Sequence, residues 1–522
     1  MTQDNTTPQV SSALVKHINS NSSVAIGRRS PVALTTALIK SAIASRQANQ
    51  LSVDDNWIET IWAWADKFEV PEESIPRNRE TLLAMTGLIL DIQVWFQEYV
   101  KEYESCLEEE LDEYEAYLGS KALFNIDCIP VELAYLINLQ EIRINQVNSS
   151  NVLDNIEKLI NLTTLSIERG GICELPESLG QLKKLSTLYV KDNELSELPK
   201  KITKISSLAR LDVSYNNLTK LPNNFNNLKK LTTLNLGFNK LTKLPKNIEQ
   251  LSNLTELVAE DNDVSRLPPS IIQLKKLTTL NISNNNISTL PKNIGELSHL
   301  INLNFSHNNI KSLPESISQL KKLTILNLRS NELSKLPNSL SELKKLTTLN
   351  LGFNKLTKLP KNIEQLSNLT TLIIKYNELR EISPVIGQLK KLTVLNLNST
   401  KISELPESIG NLSSLTKLDL GDNYLNELPK SIGKLKKLTE LNLSGNNLSE
   451  LPESVCQLTN LTTLNIFHGF IRTLCERIGK LRKLTELIIQ HSELSWLPDS
   501  IGQLSSLTTL SLVGNKLSEL PD

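Results

Sequence analysis

A strict 23-residue period constrains this chain more than any other feature of its sequence. Leucine recurs at every twenty-third position from Leu139 to Leu507, which defines 17 consecutive units with no insertion or deletion. The 28 residues of segment 228–255 return unchanged at 343–370, five periods later. Such a period predicts a solenoid, in which each unit buries its apolar side chains against its neighbours. A solenoid is not bound by the size limit of a single compact core.

Each unit has two halves with different apolar spacing, and we number its positions from the recurrent leucine as position 1. Leucines at positions 4 and 6 predict a short strand with one buried face, so stacked units predict a parallel sheet. Proline followed by apolar residues three apart predicts a short helical or 3-10 turn on the opposite side. Because the two halves differ in width, we expect a curved array with the sheet on its concave face. The unit that begins at Leu231 carries its repeated residues at Leu234, Leu236, Asn239, Leu241, Leu244, Pro245, Ile248 and Leu251.

Position 9 is asparagine in 12 of the 17 units. A tight turn there leaves buried backbone groups in need of partners, and an amide side chain offers both donors and an acceptor. We therefore interpret this column as structural and not as a binding site. Its members are Asn193, Asn216, Asn239, Asn262, Asn285, Asn308, Asn331, Asn354, Asn377, Asn423, Asn446 and Asn515.

The pattern L-x-x-L-x-L-x-x-N-x-L-x-x-L-P-x-x-I-x-x-L resembles the leucine-rich-repeat superfamily, in its short 23-residue class. The resemblance extends from near Ile129 to Asp522. It implies an α/β repeat solenoid with a parallel β-sheet on the concave face, short helical or 3-10 turns on the convex face and a continuous ladder of position-9 amides. A W-x-W-A helix and an I-P-R turn within residues 57–77 are similar to the cap of bacterial leucine-rich-repeat proteins.

Composition divides the chain into three parts. Residues 1–30 are rich in Ser, Thr, Asn and Gln, which predicts a disordered tail. Residues 31–127 are predicted to form a small, mostly helical cap domain, and residues 128–522 the solenoid. One cap helix is expected to have a single apolar face. That face comprises Trp57, Ile58, Ile61, Trp62, Ala65 and Phe68.

Two features raise the question of contact with another chain. Residues 94–118 predict a helix that carries nine acidic residues and one lysine between Glu98 and Glu115. We interpret it as a solvated helix over the first repeat, with a partner-binding or self-association helix as the alternative. The repeats stop at Asp522 without a polar cap. We expect this open end to fray, to be covered by another chain, or to mark the loss of a downstream domain.

Charge, cysteines and hydropathy bear on the cellular compartment. Residues 1–127 carry a net charge of −10 and residues 128–522 a net charge of +9. The cysteines are odd in number and scattered, which favours a reducing compartment. No segment has the features of a signal peptide or the ~20 apolar residues of a membrane span. We expect a cytoplasmic protein, with a secreted bacterial effector that engages a host protein as the alternative. The five cysteines are Cys106, Cys128, Cys173, Cys456 and Cys475.

The sequence carries no recognisable catalytic signature. It contains no G-x-x-x-x-G-K-[ST] phosphate loop, no H-E-x-x-H motif and no G-x-S-x-G motif. His468 and His491 are one period apart, but the third ligand that zinc needs is missing, so we interpret them as surface histidines. An enzyme within residues 30–127 would lack a nucleophile–base set. The sequence therefore predicts a non-enzymatic protein with no cofactor and no metal.

Aromatic residues stand out on the predicted concave face, where the other outward positions are mostly threonine, asparagine and serine. Clustered aromatic side chains often provide much of the binding energy of a protein interface. The alternatives are isolated exposed rings without a role and, near Gly469 and Ser492, degeneracy of the terminal repeats. The predicted partner-binding residues are Tyr189, Tyr215, Phe238, Phe353, Tyr376, Phe467, His468 and His491.

Lysine pairs in the recurrent sequence L-K-K-L form a second surface pattern, from Lys183 and Lys184 to Arg482 and Lys483. Stacked units align these pairs in a basic ridge. We interpret the ridge as a solvated surface, with binding of an anionic polymer or membrane surface as the alternative. The absence of interleaved aromatic residues argues against nucleic acid. We predict a scaffold that binds another protein, of unknown identity, through the concave sheet.

Overall fold

The computed structural model describes residues 56–68, 70–91, 129–146 and 153–521. These described residues group into one compact unit. The predicted tail, residues 1–30, and the predicted acidic helix, residues 94–118, lie outside the described residues.

Two α-helices come first in the described part of the chain: α1 (Asn56–Lys67) and α2 (Arg79–Leu83). The apolar face of α1 differs slightly from the predicted one, because Trp64 is buried while Trp62 is only half-buried. The indole N–H of Trp62 donates to the carbonyl oxygen of Pro76 at 2.9 Å, which explains its position at the helix edge. The buried residues of α1 are Trp57, Ile58, Ile61, Trp64 and Ala65.

One parallel sheet of 18 strands runs through the rest of the described chain, and the strands pair in chain order. From β2 onward each strand pairs with the equivalent residues 23 positions later, as Leu326 does with Leu349. The middle residue of a typical strand is buried and its two neighbours are half-exposed. The strands are β1 (Gly87–Asp91), β2 (Glu141–Asn145), β3 (Thr164–Glu168), β4 (Thr187–Tyr189), β5 (Arg210–Asp212), β6 (Thr233–Asn235), β7 (Glu256–Val258), β8 (Thr279–Asn281), β9 (Asn302–Asn304), β10 (Ile325–Asn327), β11 (Thr348–Asn350), β12 (Thr371–Ile373), β13 (Val394–Asn396), β14 (Lys417–Asp419), β15 (Glu440–Asn442), β16 (Thr463–Asn465), β17 (Glu486–Ile488) and β18 (Thr509–Ser511).

The first strand is an addition to the 17 that the period predicts. Strand β1 lies inside residues 31–127, the range assigned to the helical cap, and pairs in parallel with β2. Leu88 and Leu90 are fully buried, like the strand leucines of the repeats. Leu88 pairs with Ile142, 54 residues later. The 23-residue period therefore did not reveal this strand, and the sheet begins within the predicted cap.

The second half of each of the first 16 units forms a 3-10 turn on the side opposite the strands, as predicted. Proline at position 15 precedes the turn in many units; Pro337, for example, has φ −67° at its start. These observations confirm the predicted repeat solenoid. The 3-10 helices are Val131–Tyr135, Ile156–Lys158, Glu177–Gln181, Lys200–Lys204, Phe225–Asn227, Ile248–Gln250, Pro269–Gln273, Ile294–Glu296, Glu315–Gln319, Asn338–Glu342, Ile363–Gln365, Pro384–Gln388, Glu407–Asn411, Lys430–Lys434, Val455–Gln457, Ile478–Lys480 and Asp499–Gln503.

The position-9 asparagines form the expected amide ladder. The side-chain nitrogen of Asn239 donates to the carbonyl oxygens of Val213 (2.9 Å), Leu236 (3.1 Å) and Gly237 (3.1 Å). Its side-chain oxygen accepts the N–H of Leu218 at 2.9 Å. Each buried amide therefore joins the turn of its own unit to that of the unit before it.

The ladder is interrupted near the C-terminal end, so the continuity implied by the family resemblance is wrong there. Gly469 has no side chain to contribute. The Ser492 hydroxyl replaces an amide with longer bonds, donating to the Ile466 carbonyl and accepting the Gly469 N–H, each at 3.3 Å.

Two of the cysteines are joined in a disulfide, Cys456–Cys475. Cys475 takes the place of the position-15 proline, and stacking brings it beside a cysteine in the 3-10 helix of the preceding unit. Because disulfides persist in oxidising compartments, this pair removes the basis for inferring a reducing compartment from cysteine spacing. Cys173 is free and exposed.

Candidate functional site

The eighth residue of every unit has a left-handed backbone. In all 17 units, from Gln146 to Gly514, φ at this position lies between +48° and +73°. This conformation keeps neighbouring units hydrogen-bonded beyond the strand. The N–H of Phe238 donates to the carbonyl of Glu260 (2.8 Å), and the carbonyl of Phe238 accepts the N–H of Asn216 (3.0 Å). The repeat imposes the conformation whatever the residue type. We call these residues the position-8 column.

A left-handed backbone suits only some residue types. It costs an ordinary side chain about 1–2 kcal/mol, while Gly, Asn and Asp adopt it more readily. The column follows this preference at Asp192, Asp261, Asn284, Asp422 and Gly445. The residues that depart from this preference include four bulky rings with φ between +53° and +56°: Tyr215, Phe238, Phe353 and Tyr376. Outliers of this kind are a reason to look for a function.

The four rings form two stacked pairs. In the first aromatic pair, Tyr215 and Phe238, the ring centroids are 4.0 Å apart and the planes differ by 9°. In the second aromatic pair, Phe353 and Tyr376, the corresponding values are 4.3 Å and 17°. The tyrosines are 42% and 47% exposed, and both phenylalanines are half-buried. Each pair joins two neighbouring units.

Cations lie over the rings of both pairs. The Lys191 ammonium is 5.4 Å from the centroid of Tyr215. The Arg329 guanidinium carbon and the Lys375 ammonium are 4.8 Å and 5.4 Å from the centroid of Phe353. Stacking and these cation–π contacts cover ring faces of Tyr215 and Phe353, so at these two residues a partner can reach mainly the ring edges. Sequence reasoning missed these three cations, although each takes position 7 in a unit beside an aromatic one.

Three further predicted residues also come together, and we call them the C-terminal aromatic cluster: Phe467, His468 and His491. The ring of Phe467 stacks on that of His468 with centroids 4.2 Å apart. His491 meets both rings edge-on, at 5.6 Å from Phe467 and 5.1 Å from His468. All three side chains are exposed.

Tyr189 lies apart from these groups. It occupies position 5 on strand β4, is half-buried, and pairs with Ser166 and Asp212 of the adjacent strands. Several exposed aromatic residues were not predicted, and the two most exposed of them, Tyr424 (56% exposed) and Phe470 (54%), both occupy position 10. Their common position in the unit was the available signal.

The lysine ridge is largely engaged in bonds between units. The second lysine of a pair donates to an asparagine of the preceding unit, as Lys184 does to Asn161 at 2.8 Å. The first lysine often reaches the next unit. Lys275 donates to the Glu296 carboxylate at 2.8 Å, and this hydrogen bond holds the pKa of that carboxyl below its ordinary value. These contacts are those expected of a structural ridge.

The threonines of the strand face also join units. The hydroxyl of Thr232, at position 2, donates to the carbonyl oxygen of Ala209 in the unit before at 3.0 Å. The same bond recurs along the array, for example from Thr347 to Thr324. Much of the polar surface is therefore already hydrogen-bonded, and the aromatic groups remain as its distinctive part.

Neither a metal site nor a membrane helix emerges in the part of the chain that the structure describes. No three metal-ligating side chains converge among residues 56–68, 70–91, 129–146 and 153–521. Within these same ranges, none of the helices combines the length and the apolar character that crossing a bilayer takes.

Comparison with known families gives matches along the repeats. The profile of the leucine-rich repeat region matches residues 132–239, 279–352, 385–445 and 418–491. Two further leucine-rich-repeat profiles match residues 344–402 and 230–251. A search of curated protein sequences gives no significant match.

Solved structures resemble the same part of the chain. A leucine-rich-repeat protein of Leptospira interrogans is 34% identical with a TM-score of 0.62, over 76% of this chain and 89% of that one. The plant peptide hormone receptor RGFR1, solved in complex with RGF2, is 28% identical with a TM-score of 0.64, over 75% and 69%. The functional domain of InlJ from Listeria monocytogenes is 28% identical with a TM-score of 0.58, over 70% and 77%. The chain therefore belongs to the leucine-rich-repeat family.

Proposed function

We propose that this chain is a non-enzymatic scaffold that binds a partner protein along its strand face, which we predict to be concave. The observation that carries the proposal is the pair of ring stacks in the position-8 column. The fold accepts Asp, Asn, Ser and Gly at this position in other units, so it does not need rings there. A ring in a left-handed backbone is explained more simply by an external contact.

The relatives support a role in protein binding. RGFR1 is a peptide hormone receptor and was solved with RGF2 bound. A similar repeat array can therefore bind a polypeptide. In this chain, the exposed ring edges beside cations have the composition of an interface hot spot, which is typically rich in aromatic residues and arginine.

The same proposal includes the C-terminal aromatic cluster and Tyr189 as further contact residues. The cluster presents three exposed rings on two neighbouring units. Tyr189 is half-buried at the end of strand β4. Both are secondary to the two aromatic pairs, because neither combines stacking with a covering cation.

The test is capture of partners by the full chain and by a fourfold variant, Tyr215→Asn, Phe238→Asn, Phe353→Asn and Tyr376→Asn. Asparagine suits the left-handed backbone, as Asn284 shows in the same column, so the variant should fold. We expect the proteins that wild type captures reproducibly, identified by mass spectrometry, to be lost with the variant. A His307→Asn variant, which changes the same column without touching an aromatic pair, should capture them normally. Equal capture by the wild type and the fourfold variant would refute the proposal.

A further inference from the structure

The duplicated segment places the same loop beside two different sets of neighbouring units. Phe238 and Phe353 have φ values of +54° and +56°. Their N–H groups donate to the carbonyls of Glu260 and Lys375, both at 2.8 Å. The scaffold is therefore the same at both sites, and differences in binding must come from the neighbouring units.

The units beside Phe238 and the units beside Phe353 carry charges of opposite sign. We compare positions 3, 5, 7 and 8 of the unit with the phenylalanine and of the two units beside it, all of which the structure describes. Around Phe353 these positions hold two cations, Arg329 and Lys375, and no carboxylate. Around Phe238 they hold one cation and four carboxylates: Arg210, Asp212, Glu256, Glu260 and Asp261.

Glycine at position 7 leaves room for side chains of opposite charge at the two sites. A β-carbon built on Gly237 would lie 3.2 Å from Cγ of Glu260, and one on Gly352 would lie 3.3 Å from Cγ of Lys375. The missing side chain thus makes room for a carboxylate at the first site and for an ammonium at the second. The sign of the charge is the main chemical difference between these two contacts.

No ion pair neutralises either charge in the part of the chain that the structure describes. Glu260 accepts a hydrogen bond from the neutral amide of Asn281 at 2.8 Å. Arg329 and Lys375 lie against the Phe353 ring. Among the described residues neither of these cations forms a salt bridge, and Nε of Arg329 is buried without a hydrogen-bond partner. The acidic side continues into a polar cleft of about 310 Å³ that Asp261 helps to line.

The two sites are far enough apart to act separately. Five strand steps of about 4.8 Å place them about 24 Å apart. This distance is roughly three times the Debye length of about 8 Å at physiological ionic strength. A partner therefore meets two local fields of opposite sign and not their average.

We infer that the bound partner segment carries opposite charges at its two ends, basic beside Glu260 and acidic beside Arg329 and Lys375, and therefore binds in one direction. The inference rests on the proposed function and defines the chemistry of its partner. An extended segment of about eight residues covers the distance. Aromatic side chains within it would pack against the exposed ring edges.

A charge-blocked peptide tests the inference on the full chain. The probe has about nine residues, which extend over about 27 Å: tryptophan and lysines at the amino end, a glycine–serine centre, and glutamates and tryptophan at the carboxyl end. A control peptide of the same composition alternates lysine and glutamate. Binding is measured by fluorescence anisotropy. We expect the blocked peptide to bind about fivefold more tightly, since each exposed charge pair contributes modestly.

Energy transfer reports the direction of binding. An acceptor dye is placed on Cys173, which is exposed, in a chain with Cys106→Ser and Cys128→Ser. A hydrogen bond to Glu194 raises the pKa of the Cys173 thiol, so labelling requires an alkaline buffer. A donor dye on the amino end of the peptide should lie roughly 20 Å away along the array, against roughly 43 Å if the peptide is reversed. The charge-exchanged variant Glu256→Lys, Glu260→Lys, Arg329→Glu, Lys375→Glu keeps the net charge, reverses the sign of the charge at both sites, and should convert high transfer to low transfer.

Equal affinity of the two peptides, undetectable binding of both, or unchanged transfer in the charge-exchanged variant would each overturn the inference. These outcomes are separate from a failure of the proposed function, because partner capture is measured independently with the fourfold asparagine variant. If that variant loses its partners while charge exchange has no effect, the aromatic binding site is supported and the directional inference is refuted.

Discussion

Segments 228–255 and 343–370 have the same 28 residues but lie in different surroundings. Their internal structure is alike, with 3-10 helices at Ile248–Gln250 and Ile363–Gln365. The ring contacts differ: Phe238 stacks on Tyr215 of the unit before it, and Phe353 stacks on the ring of the unit after it. The repeat consensus therefore sets the scaffold, while the adjacent units set the chemistry of each site.

The largest expected effect tests whether the two scaffolds are equivalent. Asn239→Ala and Asn354→Ala each remove an amide that donates to three carbonyls and accepts one N–H. Because these backbone groups are buried, we expect each change to lower the free energy of unfolding by about 2–3 kcal/mol. Urea denaturation followed by circular dichroism measures it. A difference above about 1 kcal/mol between the two variants would mean that the copies are not equivalent scaffolds.

The next prediction separates folding from binding. Phe238→Asn and Phe353→Asn each lose about 0.5–1.5 kcal/mol of ring stacking and gain about 1–2 kcal/mol from a residue that suits the left-handed backbone. The stability of each variant should therefore stay within about 1 kcal/mol of wild type. Partner affinity should fall about tenfold or more, as expected for an interface hot spot. Ser330→Asn, in the same column, is the control. Marked unfolding of the phenylalanine variants alone would show that the rings serve the fold.

A smaller effect is expected from Gly237→Ala and Gly352→Ala. The new methyl group meets the flexible side chain of Glu260 or Lys375 at 3.2–3.3 Å, so that side chain should be displaced. Stability should change by less than about 0.5 kcal/mol. The salt dependence of partner binding should weaken in both variants, because each loses a fixed charge beside its ring. Unaltered salt dependence would contradict the assigned role of these charges.

The smallest effect concerns Glu342, which precedes the second copy where Asn227 precedes the first. A hydrogen bond from Lys321 (2.9 Å) lowers the pKa of the Glu342 carboxyl below its ordinary value. A lowered pKa means that the pair stabilises the fold above the pKa of the unfolded chain, and that this stabilisation is lost as pH falls through the folded-state pKa. Lys321→Met should therefore be slightly less stable at neutral pH and equal to wild type in acid. Thermal unfolding across pH measures the difference, and a constant difference at all pH values would exclude this pair as its cause.

The period was enough to predict the parallel sheet and the 3-10 turns, because each buried leucine column repeats in register. Strand β1 was not predicted, because Leu88 pairs with Ile142 across an interval that is not a multiple of the period. The Cys456–Cys475 disulfide was not predicted, because it depends on how the 3-10 side of one unit stacks on the next. Both misses concern contacts whose spacing departs from the repeat.

The candidate site was predicted only in part. The sequence indicated clustered rings at Tyr215, Phe238, Phe353 and Tyr376, and the structure stacks them in pairs. It did not indicate the left-handed backbone, which comes from hydrogen bonds between units and not from local preference. Tyr189 was predicted together with these rings, but it occupies position 5 on strand β4 and not position 8.

The most direct test of the account is the dissociation constant of a purified partner recovered with the wild-type chain. Titration calorimetry would compare wild type, the fourfold asparagine variant of the two aromatic pairs and the His307→Asn control at one salt concentration. The account predicts that the fourfold variant, with its thermal unfolding unchanged, binds at least about tenfold more weakly than wild type and that the control binds equally well. Equal dissociation constants for all three proteins would contradict it.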